Sequence, residues 1–214
     1  MGLFYYMTMQ VFNFDNLTPD FMWYALESIG VRAESGLLAL NSYENRVYQF
    51  TDEDRKRYVV KFYRPQRWNK AQIQEEHDFA LELIEQEMPI APPIRINGAT
   101  LHEYQGYLFA LFESVGGRQY EVDNLNQLEG VGRFLGRIHK ASAGKPFQHR
   151  PTISLDEYLY QPRKILENSQ FIPTHLENTF FNDVDLLIKE IESQWPSNTE
   201  NIRLHGDCHP GNIL

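Results

Sequence analysis

Apolar residues recur every three or four positions over 19–29, where Met22, Ala25, Leu26 and Ile29 define a face that Phe21 and Tyr24 widen. That spacing is the signature of an amphipathic helix. Thr18 supplies a cap, Pro19 suits the first helical position, and Gly30 ends the segment. From 37 to 63 the pattern turns extended. Residues 47–50 are rich in β-formers, 51–57 are charged, and 58–63 form a second run, which together predict a hairpin. A helix follows over 69–86, with Ile73, Glu76, Ala80, Leu83 and Ile84 near one face, and Pro89, Pro92 and Pro93 stop it. Asn97-Gly98 and Gln105-Gly106 then punctuate three short strands. The last, YLFALF, is the continuous apolar run of a buried strand.

Beyond Gly116-Gly117 the pattern becomes helical. Asp123 or Asn124 caps a segment in which Leu128, Val131, Leu135 and Ile138 recur at helical spacing. Ser154 to Glu157 and Thr174 to Glu177 both match the capping box, predicting helices over 155–168 and 175–194, with Pro162 breaking or kinking the first. Residues 202–204 read as a short strand leading into HGDCHPGNIL. The fold class expected is α+β and bilobal, an antiparallel-sheet lobe followed by a mainly helical one, joined near 113–117. The division is a 1–13 extension, a lobe over 14–115 and a partial second lobe over 116–214.

Composition narrows the function classes. The 214 residues carry 20 Lys and Arg against 29 Asp and Glu, a formal net charge of −9. Such a field repels phosphodiester backbones, so nucleic acid is not an expected partner. Apolar stretches fall far short of the roughly 20 residues that cross a bilayer, so no membrane partner is expected. The single Cys208 forms no intrachain disulfide and offers no partner thiol for zinc, which fits a cytoplasmic location.

The strongest chemical signal is His205-Gly206-Asp207-Cys208-His209-Pro210-Gly211-Asn212. An Asp and an Asn five apart in a tight loop can aim a carboxylate at a hydroxyl and an amide oxygen at a metal ion. Phosphoryl transfer needs that pairing, because its catalysis is mostly positioning and charge neutralisation. Asp and Asn alone also serve ordinary polar turns. The complete string HGDCHPGNIL closely resembles the catalytic loop of the aminoglycoside phosphotransferase and choline kinase superfamily, a branch of the protein-kinase-like fold. LNSYENRVYQF, VVKFYRP and SVGGRQ, in that order, further resemble the bacterial stress-response kinases that phosphorylate protein Ser and Thr.

The resemblance, which spans about 14–214, implies ATP and Mg2+ as cofactors and a protein Ser/Thr hydroxyl as acceptor. It makes Asp207 the catalytic carboxylate and Asn212 a magnesium ligand, with His205 and Gly206 shaping the loop. Lys61 stands where the family lysine reaches the ATP phosphates; a lysine within an apolar strand is costly unless its ammonium meets an anion or water. Its partner comes from the following helix, Glu75 or Glu76, and the face continued by Ala80 and Leu83 favours Glu76. Asn41 to Arg46 takes the place of the phosphate-covering loop. It holds no glycine, and Ser42, Asn45 or Arg46 would supplement its backbone amides. Glu113 and Val115 occupy the interlobe hinge, where backbone groups would bind adenine.

A second metal-binding carboxylate is expected on a strand after the catalytic loop. The sequence ends before it, so the chain is expected to be a fragment whose own catalytic competence is incomplete. Two alternatives stand beside a protein kinase: a small-molecule kinase for an amino alcohol or aminoglycoside, and a catalytically incomplete nucleotide-binding module.

Overall fold

A computed structural model of the protein describes residues 13–117, 120–197 and 200–213. The expected N-terminal extension and the Arg118-Gln119 end of the SVGGRQ string lie almost wholly outside them. Helix α1 (Pro19–Ser28) begins as its sequence dictates: the Thr18 hydroxyl accepts a hydrogen bond from the Phe21 amide at 3.2 Å, and Pro19 occupies the first turn. Gly30, at φ +84°, takes the left-handed conformation that ends the helix. Met22, Ala25 and Leu26 are buried, whereas Tyr24 is exposed, so the apolar face is narrower than the spacing suggested.

Five antiparallel strands follow: β1 (Leu38–Leu40), β2 (Arg46–Thr51), β3 (Arg57–Phe62), β4 (His102–Tyr104) and β5 (Tyr107–Glu113), in the order β1-β2-β3-β5-β4. The third strand expected ahead of β4 does not form. Its residues give only isolated bridges, Pro93 with Phe112 and Ile96 with Ala99, because the prolines at 92 and 93 remove ladder donors. The β2–β3 hairpin pairs Val47 with Lys61, and β3 pairs Lys61 with Ala110 of β5.

Strand alternation sends side chains to two faces. On one, Val60, Phe62, Phe109 and Leu111 are completely buried and pack with Met22 and Leu26 of α1, the Phe62 and Phe109 rings stacked at 5.3 Å. On the other, Ala110 packs with Tyr63 and with Ile73 of α2 (Lys70–Glu85), flanked by Trp68, Leu108 and Phe112. Helix α2 starts with a complete capping box: Asn69 Oδ1 accepts from the Gln72 amide at 2.9 Å, and Gln72 Oε1 accepts from the Asn69 amide at 3.0 Å. Its buried residues are Ile73, His77, Phe79 and Leu83. Ile84, expected on that face, is exposed at the C-terminal end.

Helix α3 (Leu125–Ser142) has Ile138 and Ser142 buried. Contacts divide the described residues into two compact units: one up to Phe134 that also takes in the segment from Asp207, and one over Leu135–Gly206. The second unit contains α4 (Gln161–Glu167) and α5 (Thr174–Gln194). Pro162 acts as expected, because a π-helical turn over Asp156–Tyr160 precedes α4 and puts the proline in its first turn. Ser154 caps that turn, accepting from the Glu157 amide at 3.2 Å. Thr174 does not cap α5: Pro173 precedes the helix, and Thr174 is already inside it. Arg163 joins the two helices, donating to Asp185 through Nη2 at 2.9 Å and also through Nε, and to Glu167 at 3.0 Å. The carboxyl of Asp185 is accordingly held below its usual range, chiefly by that hydrogen bond. Residues 202–204 form no strand, since they pair with no neighbouring edge. No described helix is long and apolar enough to cross a membrane.

Candidate active site

Lys61 lies on the sheet face that α2 covers, in register with Ala110. Its Nζ is 3.5 Å from Glu76 Oε1 on α2, with the lysine side chain about three-quarters withdrawn from solvent (25% exposed). The ammonium also stands 4.7 Å over the Tyr63 ring. A partly buried ion pair of this kind holds its cation along one direction more firmly than a surface pair, because water competes less for both groups. Of the two candidate carboxylates, Glu76 is the one found beside Lys61.

The turn between β1 and β2 is fixed from outside. Glu44 Oε1 accepts from Trp68 Nε1 at 2.8 Å, and Asn45 Oδ1 accepts from the Arg64 amide at 3.1 Å. Arg67 Nε lies 3.5 Å from Glu44 Oε2. These bonds reach the segment linking β3 to α2, and they leave Tyr43 at the tip 97% exposed, with Ser42 half-buried beside it. Arg46 begins β2, and its guanidinium sits 4.8 Å over the Phe14 ring. At the other end of the sheet Glu113 closes β5, its carboxylate accepting from Lys56 at 2.7 Å. Gln49 donates to the Ser114 hydroxyl at 2.7 Å, and Val115 just beyond is largely exposed.

The loop from His205 turns at Gly206, whose φ of +77° is the left-handed conformation its position requires. Asp207 and Asn212 are brought together: Asn212 Nδ2 donates to the Asp207 carbonyl at 2.7 Å and to Asp207 Oδ2 at 2.9 Å. A 3-10 turn over Pro210–Asn212 makes this possible, and His209 caps it, Nδ1 accepting from the Gly211 amide at 3.1 Å. His209 Nε2 lies 3.7 Å from Asp207 Oδ1. With its amide nitrogen committed to Asp207, Asn212 presents Oδ1 as its acceptor. Cys208 is exposed.

No three His, Cys, Asp or Glu side chains among the described residues cluster as a metal cage. The Asp207 carboxylate and Asn212 amide oxygen are hard oxygen donors, which fit a small divalent cation that keeps water and phosphate among its ligands. Sequence reasoning missed the anchors Glu44 and Trp68, the cap His209, and His77. The last had a visible signal: it falls four residues after Ile73, a polar residue on the apolar stripe of α2.

The phosphotransferase enzyme family model matches residues 37–214. Stress response kinase A of Escherichia coli (strain K12) is 53% identical over 208 residues, which is 97% of this chain and 63% of the relative. Serine/threonine protein kinase RdoA of Salmonella typhimurium is 52% identical over 203 residues, 95% of this chain and 62% of that protein. The chain thus spans less than two thirds of the length of the curated relatives it matches. Among solved structures, an amicoumacin kinase in complex with AMP-PNP, Ca2+ and Ami aligns with a TM-score of 0.65 at 19% identity, covering 82% of this chain and 54% of that one. A microcompartment-associated aminopropanol kinase aligns at 0.60 and 18%, covering 83% and 58%. Those alignments bear on the fold, and they agree with the α+β kinase-like architecture the sequence implied. The match over 37–214 and the identity to the two bacterial kinases establish that the chain belongs to the phosphotransferase enzyme family.

Proposed function

We propose that the protein to which this chain belongs transfers the γ-phosphoryl group of ATP to a hydroxyl of protein Ser or Thr, in a stress response. The observation that carries the reading is the Lys61–Glu76 ion pair, a cation aimed by a carboxylate on the sheet face beside α2. Lys61 binds nucleotide phosphate oxygens, and Glu76 keeps its ammonium from folding away. The turn at Ser42 and Asn45 lies over the same phosphates with its backbone amides, and Arg46 adds positive potential nearby. Backbone groups at Glu113 and Val115 receive adenine. Asp207 accepts or orients the proton of the acceptor hydroxyl, its carboxylate steadied by the Asn212 amide. Asn212 Oδ1 would hold Mg2+, which would supply charge neutralisation on the phosphates. The acceptor class rests on the Salmonella relative, which is named a serine/threonine protein kinase, and the stress-response setting on the Escherichia coli relative; a cytoplasmic location completes the proposal.

The test uses the complete protein with γ-labelled ATP, a panel of Ser/Thr protein acceptors and a panel of amino alcohols and aminoglycosides. Asp207→Ala lowers transfer by about a thousandfold, the usual worth of a positioned acid-base group. Undiminished transfer by that variant refutes the assignment. Transfer confined to the small alcohols replaces the protein kinase with a small-molecule kinase.

A further inference from the structure

One titratable group in the first unit is buried, fully engaged and unused by the chemistry above. His77 is 1% exposed and sits on α2 immediately after Glu76. Its Nε2 lies 2.7 Å from the Tyr63 hydroxyl, and its Nδ1 lies 3.0 Å from Thr100 Oγ1. Gln74, one turn earlier on α2, donates to the same threonine hydroxyl at 3.2 Å. The Phe112 ring of β5 meets the imidazole edge-on at 6.5 Å.

Tyr63 follows β3, two residues from Lys61, just as His77 follows Glu76. The strand and helix are therefore joined by two adjacent rungs. One is the ion pair Lys61–Glu76, and the other is the neutral pair Tyr63–His77. A single contact between a strand and a helix leaves the helix free to roll about its axis. A second contact one residue away, on a side chain that points about 100° further round the helix, removes that freedom. Thr100 closes the arrangement from a third segment. Both partners of the ring are hydroxyls, each able to give or accept a proton, so a neutral imidazole satisfies them with one donor and one acceptor and no buried charge.

We propose that His77 is a positioning residue for nucleotide binding: its bonds to Tyr63 and Thr100 fix the rotation of α2 and so hold Glu76 against Lys61. The proposal rests on the reading of Lys61–Glu76 as the phosphate-positioning pair. An apolar core residue at 77 would pack equally well, but would leave the helix roll set by shape alone. Removing the Tyr63 hydroxyl or the imidazole lets Glu76 drift from Lys61 without unfolding the sheet.

The experiment is a double-mutant cycle on the full-length protein. AMP-PNP affinity is measured by calorimetry with Mg2+ for Tyr63→Phe, His77→Phe, Glu76→Gln and the combinations with Glu76→Gln. Near-UV circular dichroism confirms that each variant folds, and Tyr63→Phe, which deletes one oxygen, carries the test if His77→Phe does not. Glu76→Gln weakens binding about tenfold and Tyr63→Phe about fivefold, while the double variant stays near tenfold in place of the roughly fiftyfold that independent effects give. Rungs that act as one unit produce that shortfall. If Glu76→Gln weakens binding but Tyr63→Phe and His77→Phe leave it unchanged, or add in full, His77 is only a core residue and the proposal fails. If Glu76→Gln itself leaves affinity unchanged, the phosphate-positioning reading of Lys61–Glu76 fails and takes the proposal with it.

Discussion

Acid should destabilise the folded chain through His77 in a window set by its burial. In the folded protein the imidazole is pushed down to about 4 from 6.5, first by burial and then by the Lys61 ammonium, with His102 acting the same way; Glu76 and Asp78 oppose the shift. The other group facing the ring is the Tyr63 hydroxyl, with Thr100 and Phe112 neutral. Unfolding frees the ring to titrate at its ordinary value. Between pH 6.5 and about 4 the unfolded chain therefore binds more protons than the folded one, and stability falls as pH falls. The stabilisation is fully present above pH 6.5 and lost by about pH 4. At about 1.4 kcal/mol per pH unit, the gap comes to about 3 kcal/mol, a large fraction of a typical folding free energy. The assay is urea unfolding at constant ionic strength from pH 7.5 to 4, on the wild type and His77→Phe. Carboxylates and His102, itself held low by burial, titrate in both proteins, so their difference isolates His77. The wild type should lose about 3 kcal/mol relative to the variant across the window. A difference that stays constant with pH would show that the ring titrates alike in the folded and unfolded chains, and would refute the burial argument.

Two further outcomes follow from packing and from the anchored turn. Phe62→Ala removes a completely buried ring stacked on Phe109 and should cost about 4 kcal/mol in chemical denaturation; a loss under about 1 kcal/mol would mean the two rings do not share a core. Glu44→Ala deletes the acceptor of the Trp68 indole, and should raise amide exchange over 42–46 about tenfold while red-shifting Trp68 emission; unchanged exchange would refute the anchor.

The sequence made α1, the hairpin and α2 legible because each is built from local signals: a cap, a proline, a charged turn, a period of three and four. That Lys61 pairs with a carboxylate of α2 was implied by the family resemblance; helical phase then distinguished Glu76 from Glu75, and the structure finds Glu76 beside the lysine. What escaped depends on partners distant in the chain. His77 reads as a polar intrusion on an apolar stripe until Tyr63 and Thr100 close on it. Residues 202–204 have strand composition, yet composition supplies no edge to pair with. Thr174 satisfied the capping pattern, but the helix begins one residue earlier than that pattern requires, after Pro173. Ile84 kept the expected spacing and is still exposed, although Leu83 beside it is buried, so the covered face of α2 is narrower than its apolar stripe.

The turn at 41–46 does without glycine because its shape is imposed by Trp68 and Arg64 rather than by permissive backbone angles. A glycine-rich turn has more chain entropy to lose, and where a ligand orders it, association carries that loss. Here that loss is incurred once, during folding. A ligand meeting this turn should bind with a smaller entropic penalty and without waiting for a loop to settle. Trp68 also directly precedes Asn69, which caps α2. The turn and the start of that helix thus share one attachment, so a displacement of either is felt by the other as mechanical load rather than as a separate event.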